Sequence, residues 1–231
     1  MTENNRKLAA TTKTSKTKCL PTYLVLDTSG SMKEHEQTLN DTLEDVFDTL
    51  RLSPRVSEFA YISIITFNTR PHLVLEMTDI EDAPGIPQLA CDGMTNYSLV
   101  FDLIRSRIDA DVPALNAAGK AVLRPAVFLF TDGFPSDENE WQVHFNDLVT
   151  PSWRRRPHVI TYGFGEARAD VLGKMATKAA FLADSRTADK EALTKTLTSL
   201  LQTLVASAKA EELLIPTDLP GFIRVPVEYT D

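Results

Sequence analysis

The sequence has few of the residues that form covalent cross-links or soft-metal sites. It contains two cysteines, Cys19 and Cys91, and four scattered histidines in 231 residues. Two cysteines make neither a disulfide framework nor a set of zinc ligands. The low count argues against a disulfide-stabilised secreted domain and against a zinc site built from histidine and cysteine.

Long apolar runs are also missing. No stretch approaches the roughly 20 apolar residues that a membrane-spanning helix needs. Residues 1–20 contain no apolar run of the length found in a signal peptide. We therefore predict a soluble, cytoplasmic protein without a membrane partner.

Basic residues are outnumbered by acidic ones, 24 to 32, which gives a net charge of −8. An acidic chain lacks the electrostatic surface of a general nucleic-acid or anionic-membrane binder, so we expect no nucleic-acid partner. The charge is uneven, because residues 1–20 carry five basic residues and one acid. We predict that residues 1–20 form a disordered basic leader.

The chain is rich in short apolar runs, and these alternate with stretches whose apolar residues have helical spacing. Continuous apolar runs are typical of strands covered on both faces, and strands that alternate with helices predict a mainly parallel sheet. We therefore predict a Rossmann-like α/β domain over residues 21–207: three α/β/α layers, doubly wound, with a mostly parallel six-stranded sheet. The candidate strands are Tyr23–Asp27, Ala60–Phe67, His72–Glu76, Ala126–Thr131, Val159–Tyr162 and Ala180–Ala183.

Two further features concern the edges of this domain. The connection between Ala60–Phe67 and His72–Glu76 is too short for a helical crossover, so His72–Glu76 should be an antiparallel edge strand. Residues 208–231 contain three prolines and little periodicity. They should form a C-terminal tail that is extended or packed on the domain.

Acids and hydroxyls cluster at the ends of these elements. Asp27, Ser29 and Ser31 follow the first strand, Asp132 follows the strand that ends at Thr131, and Thr95 opens a helical stretch. In open parallel sheets, ligands bind at the carboxyl ends of the strands. We therefore expect these five residues to belong to one site.

Three chemistries compete for this site. A phosphate-binding loop needs several glycines and a lysine at its helix start, but only Gly30 is present and Lys33 is out of register. An aspartyl nucleophile of the haloacid dehalogenase type needs a second aspartate two residues after Asp27, where this chain has Ser29. The third chemistry is a divalent cation held by oxygen atoms.

A hard cation such as Mg²⁺ suits these residue types. Ser29, Ser31 and Thr95 would be direct ligands, and Asp27 and Asp132 would supply negative charge, largely through water. Neutral direct ligands would leave the metal able to accept a carboxylate from another molecule. We predict Mg²⁺ or Mn²⁺ here, in preference to Ca²⁺.

The pattern Asp-x-Ser-x-Ser, followed by a distant threonine and aspartate, resembles the metal-ion-dependent adhesion site (MIDAS) of von Willebrand factor A (vWA) domains. The segments "LPTYLVLDTSGSM", "YISIITFN" and "LRPAVFLFTDGFPSDE" are similar to the TerY-like group of bacterial tellurite-resistance proteins. This resemblance implies a non-enzymatic, metal-dependent protein-interaction module in tellurite resistance and stress response. It also implies a partner that supplies a Glu or Asp to the metal, in a system of a protein kinase and a PP2C-type phosphatase.

One departure from the family lies around Thr95, where small residues are usual. Bulky Tyr97 and Leu99 are predicted to narrow access to the metal or to change the preferred partner. The alternative function is a metal-dependent phosphoryl-transfer enzyme that uses the same Asp-rich site, although the motifs contain no evident nucleophile–base pair.

Overall fold

A mixed, mostly parallel sheet runs through the computed structural model, which describes residues 16–138 and 140–229. These residues form eight strands: β1 (Lys18–Asp27), β2 (Ala60–Phe67), β3 (Pro71–Asp79), β4 (Ala121–Val122), β5 (Ala126–Thr131), β6 (His158–Gly163), β7 (Ala179–Ala183) and β8 (Phe222–Val225). The helices are α1 (Glu36–Arg51), α2 (Pro54–Phe59), α3 (Tyr97–Ala117), α4 (Trp141–Val149), α5 (Ala169–Lys174) and α6 (Asp189–Ala210). A 3₁₀ helix, Gly30–His35, precedes α1.

The strand order is β3-β2-β1-β5-β6-β7-β8, and the short β4 pairs with the start of β1. β1 is parallel to both β2 and β5, and β6 and β7 continue the parallel part. β3 is antiparallel to β2, and β8 is antiparallel to β7. The predicted fold class is confirmed, including the antiparallel edge strand after β2.

The central strands are apolar along their whole length because each face of the sheet is covered. Leu24 and Leu26 of β1 join one core cluster, which contains the buried apolar residues of α1, α2 and α6. Tyr23 and Val25 point to the other face and join a cluster formed with α3 and α4. Alternate side chains of one strand thus serve two cores, which explains the continuous apolar runs.

The sheet has two more strands than the six predicted. β4 has only two residues, and β8 lies in the proline-bearing C-terminal segment, where Ile223 is 58% exposed. Short or half-exposed strands produce little apolar signal in a sequence. The tail is therefore packed on the domain for at least part of its length, through the pairing of β8 with β7.

The predicted boundaries also change at both ends. β1 begins at Lys18, so the last three residues of the predicted leader belong to the sheet, and Cys19 and Leu20 are fully buried. Pairing with β4 explains this extension, since Leu123 N donates to Cys19 O at 2.8 Å. Residues 1–15 of the leader lie outside the described part of the chain. α6 continues to Ala210, past the predicted boundary at 207.

Within residues 16–138 and 140–229, no helix is both long and apolar enough to cross a bilayer.

Candidate metal centre

The carboxyl ends of β1 and β5 place Asp27 and Asp132 next to each other. The two strands are parallel and in register, with Leu26 opposite Phe130. The next residues along the strands, Asp27 and Thr131, are therefore cross-strand neighbours, and Asp132 follows directly. Sheet register brings together residues that are about a hundred positions apart in the sequence.

Asp27 is the buried anchor of the site, with 1% of its surface exposed. Its Oδ1 accepts a hydrogen bond from Ser29 N at 2.9 Å, and its Oδ2 accepts one from Thr131 Oγ1 at 2.6 Å. Burial raises the pKa of Asp27 from its ordinary value of 3.8 to about 6. The hydrogen bonds from Ser29 and Thr131 oppose this rise, and the charge of Asp132 adds to it.

A line of hydroxyl groups connects the two aspartates. The Oγ atoms of Ser29 and Ser31 are 3.1 Å apart, and Ser31 Oγ donates to Asp132 Oδ1 at 2.8 Å. Burial raises the pKa of Asp132, against the hydrogen bond from Ser31 and the charge of His35. Four of the five predicted residues thus form one connected group.

Thr95, the fifth residue, reaches the same space from a separate loop. Its Oγ1 and the Oγ of Ser31 lie 3.6 and 3.8 Å from the point where a Cβ on Gly133 would stand. Backbone hydrogen bonds hold the loops together, from Gly30 N to Gly93 O at 2.9 Å and from Ser136 N to Thr95 O at 2.8 Å. The predicted site residues therefore converge on one place at the end of the sheet.

Gly30 allows this close approach of the loops. A Cβ on Gly30 would lie 3.2 Å from the carbonyl oxygen of Gly93, a tight contact with backbone that has little freedom to move. A Cβ on Gly133 would make ordinary van der Waals contacts with the hydroxyls of Thr95 and Ser31. Of these two positions, Gly30 is therefore the one that favours glycine because of its neighbours.

Thr131 and Tyr97 support the site in ways that the motifs did not reveal. Tyr97 is fully buried, and its hydroxyl lies 2.7 Å from Thr131 Oγ1, which in turn donates to Asp27. The predicted narrowing of metal access by Tyr97 is not seen, since the ring lies beneath the site and contacts Phe67 and Phe101. Leu99, in contrast, is 41% exposed.

His35 and Asp189 lie near Asp132 and were also missed. His35 Nε2 is 4.0 Å from Asp189 Oδ2, and both groups act electrostatically on Asp132. Asp189 Oδ1 accepts a hydrogen bond from Gly165 N, in the loop whose Glu166 N donates to Asp132 O. No local motif marks either residue, because folding alone brings them to this end of the sheet.

The chemistry of these side chains fits a hard divalent cation. The site offers three hydroxyl and two carboxylate groups, all oxygen donors, which suits Mg²⁺ or Mn²⁺. Among the described residues there is no group of three or more His, Cys, Asp or Glu residues that could hold a metal ion. A metal at this place would therefore depend on the serine and threonine oxygens as much as on the aspartates.

Comparison with known sequences gives no relative: no family model matches the chain, and no curated protein does. Solved structures do resemble it. The ArnB paralog VWA2 from Sulfolobus acidocaldarius is 14% identical with a TM-score of 0.54, over 82% of this chain and 46% of its own. A von Willebrand factor type A protein from Catenulispora acidiphila is 13% identical with a TM-score of 0.57, over 81% of this chain and 43% of its own.

A third structure, proximal thread matrix protein 1 from the mussel byssus, was solved with zinc in its MIDAS motif. It is 16% identical with a TM-score of 0.56, over 82% of this chain and 49% of its own. The chain thus spans less than half the length of these three proteins. At such identities the likeness concerns the fold, and this chain has the fold of a von Willebrand factor A domain.

Proposed function

We propose that this chain is a non-enzymatic, metal-dependent protein-interaction module. Ser29, Ser31 and Thr95 would bind Mg²⁺ or Mn²⁺ directly, and Asp27 and Asp132 would contribute charge directly or through water. An acidic residue of a partner protein would occupy the open coordination position. The observation that carries the proposal is the connected line from Asp27 through Ser29 and Ser31 to Asp132, bordered by Thr95.

The neutral ligands explain why the partner should supply an acid. Three hydroxyl oxygens add no charge, so a divalent cation here keeps a strong attraction for an anionic oxygen. The rest of the molecule is acidic, with a net charge of −8 for the whole chain, and repels such a partner at long range. The metal would thus supply the local attraction.

The resemblance to TerY-like proteins suggests the biological setting. In this proposal the module acts in the cytoplasm, in a tellurite-resistance or stress-response system, and its partner is a protein kinase or a PP2C-type phosphatase. The zinc-occupied MIDAS of the mussel protein is consistent with a divalent metal in a site of this kind.

The geometry of Asp27 argues against the alternative of phosphoryl transfer. Both carboxylate oxygens accept hydrogen bonds from the protein, and only 1% of the residue is exposed. An acceptor of a phosphoryl group needs an accessible, correctly aimed oxygen. Turnover of a generic phosphate ester that is abolished by Asp27→Ala would nevertheless establish the enzyme.

Calorimetric titration with Mg²⁺ and Mn²⁺ tests the metal site. We expect binding to the wild-type chain and to Ser106→Ala, a control at an exposed serine of α3, and loss of binding in Ser29→Ala. Pull-down of the partner with wild type should fail in EDTA and should fail with Ser29→Ala. A folded Ser29→Ala variant that binds metal and partner like the wild type would refute metal-mediated docking.

A further inference from the structure

The loops that carry the candidate metal ligands also carry large apolar side chains in water. Met94 precedes Thr95 and is 60% exposed, Leu99 lies in the first turn of α3 and is 41% exposed, and Phe134 follows Gly133 and is 53% exposed. We call these three residues the apolar rim. Each of them lies within four positions of Thr95 or Asp132.

Hydrogen bonds fix the two loops of the apolar rim against each other. Ser136 donates to Thr95 O from both its N and its Oγ, at 2.8 and 2.7 Å. On the other side, Asp137 Oδ2 accepts from Ser98 N at 2.7 Å and from Ser98 Oγ at 2.5 Å. The loop that carries Phe134 is therefore tied to the segment that carries Met94 and Leu99.

The exposure of the rim contrasts with the rest of the molecule. Single exposed apolar residues are common on protein surfaces and do not indicate a binding site. Here, however, three of the seven large exposed hydrophobics of the described chain lie on two tied loops at one site. They add nothing to either core, and exposed apolar patches of this kind mark interaction surfaces.

The three segments that carry the hydroxyl ligands and the apolar rim contain no charged residue. Residues 28–31, 93–99 and 133–136 contain no Lys, Arg, Asp or Glu. The nearest charged residues along the chain, such as Lys33, Asp92 and Asp137, flank these segments. On these three segments an incoming segment would meet apolar and neutral polar groups, whereas the ionisable side chains of His35 and Asp189 lie near Asp132.

We infer that the partner's acidic residue is flanked by large apolar side chains, which pack on Met94, Leu99 and Phe134. The inference rests on the proposed function and names the partner's chemistry: a protein segment with one central Glu or Asp and Leu, Phe or Met beside it. The metal fixes the acid, and the apolar rim selects its neighbours. A segment with polar or charged neighbours would gain only the metal bond.

Selection from displayed peptides tests this inference without knowledge of the partner. The library has a fixed central glutamate and random flanks, and a matched library has glutamine at the centre. Each is selected in Mn²⁺ and in EDTA on wild type, on Phe134→Ser, and on Val143→Ser. Val143 is a matched control because it is 65% exposed on α4, outside the rim.

On wild type and on Val143→Ser, we expect metal-dependent enrichment of the glutamate library with apolar flanks. On Phe134→Ser the enriched flanks should lose this preference while the dependence on glutamate and metal remains. The best wild-type peptide should bind Phe134→Ser about tenfold more weakly, as expected for loss of most of one buried aromatic contact.

The possible failures are distinguishable. If no metal-dependent, glutamate-dependent peptides are enriched on wild type, the proposed function is contradicted. If such peptides are enriched with polar or charged flanks, or if Phe134→Ser selects the same flanks as wild type, only the apolar rim is contradicted.

A second copy of this chain is a rival occupant, because Glu212, Leu213 and Leu214 form a segment of the required type. Sedimentation in Mn²⁺ separates the two cases. A monomer at all concentrations supports a different protein as partner. A metal-dependent dimer that Glu212→Gln abolishes would overturn the inference in favour of self-association.

Discussion

Asp27 places an ionisable group where water is almost absent. In the folded protein its pKa is raised to about 6, whereas in an unfolded chain a carboxyl of this type titrates near 4. Between these two values the folded state holds the proton more tightly than the unfolded state. The metal-free protein should therefore lose stability as the pH rises from about 4 to about 6.

Asp27→Asn should remove this loss. Without metal, the variant should be more stable than wild type at neutral pH, by up to about 3 kcal/mol for a rise in pKa from 3.8 to about 6. The difference should shrink as the pH falls from about 6 toward 4 and should vanish below that range, where Asp27 is protonated in both states. Urea unfolding in EDTA at several pH values measures it, with exposed Asp45→Asn as the control. A variant that is equally destabilised at every pH would mean that the hydrogen bonds of Asp27 outweigh its burial.

Tyr97 provides a second test at the scale of one residue. Tyr97→Phe removes the hydroxyl that contacts Thr131, so Thr131 is held less firmly against Asp27. We expect a loss of about 1 kcal/mol in stability and a weaker affinity for Mg²⁺. Tyr23→Phe is the matched control. Tyr23 lies four residues before Asp27 on the same strand, and its hydroxyl donates a hydrogen bond to buried Asp111. It should cost stability and leave metal affinity unchanged. If both variants bind metal like the wild type, Tyr97 has no positioning role.

At the scale of secondary structure, the strength of the apolar signal decided what could be predicted. β2 and β5 were predicted with their observed bounds, because nearly every residue of each strand is buried by two layers of helices. β8 was missed because two of its four residues are exposed and prolines surround it.

In the candidate site, too, local patterns could be predicted and contacts between distant residues could not. Asp27, Ser29 and Ser31 are close in sequence and were visible as a motif, whereas the hydroxyl of Tyr97 meets Thr131 across 34 positions.

The C-terminal segment depends on a glycine of α5. A Cβ on Gly173 would overlap the carbonyl oxygen of Pro226, and Gly173 O accepts a hydrogen bond from Glu228 N. Gly173→Ala should therefore displace residues 226–229 and weaken the pairing of β8 with β7. Hydrogen exchange should be faster in β8, and thermal stability should fall.

Gly85→Ala is the control for this change, since a Cβ there meets no atom within 4 Å. The Gly85→Ala variant should leave the rate of hydrogen exchange in β8 unchanged. Unchanged exchange in β8 of Gly173→Ala would show that α5 moves to accept the methyl group without releasing the tail.

For the molecule as a whole, metal binding should appear as stability. A ligand that binds only the folded state adds about 2.7 kcal/mol at a concentration of 100 times its Kd. Saturating Mg²⁺ should thus raise the melting temperature of wild type and of Ser106→Ala. It should leave Ser29→Ala at its metal-free value. A melting temperature of wild type that does not respond to Mg²⁺ or Mn²⁺ would contradict the metal site.

The position of β1 in the strand order has a consequence for biosynthesis. Among the strands of the described residues, β1 leaves the ribosome first. It is also an inner strand, and its two long neighbours arrive far apart in time. β2 follows after some thirty residues of intervening chain, but β5 emerges only when residues 126–131 have been made. Until then, most of one edge of β1 is open and available to other nascent chains. The arrival of β5 closes that edge, and the same step delivers Thr131 to Asp27 and Asp132 to Ser31. Metal binding would therefore report that the middle of the sheet has been completed.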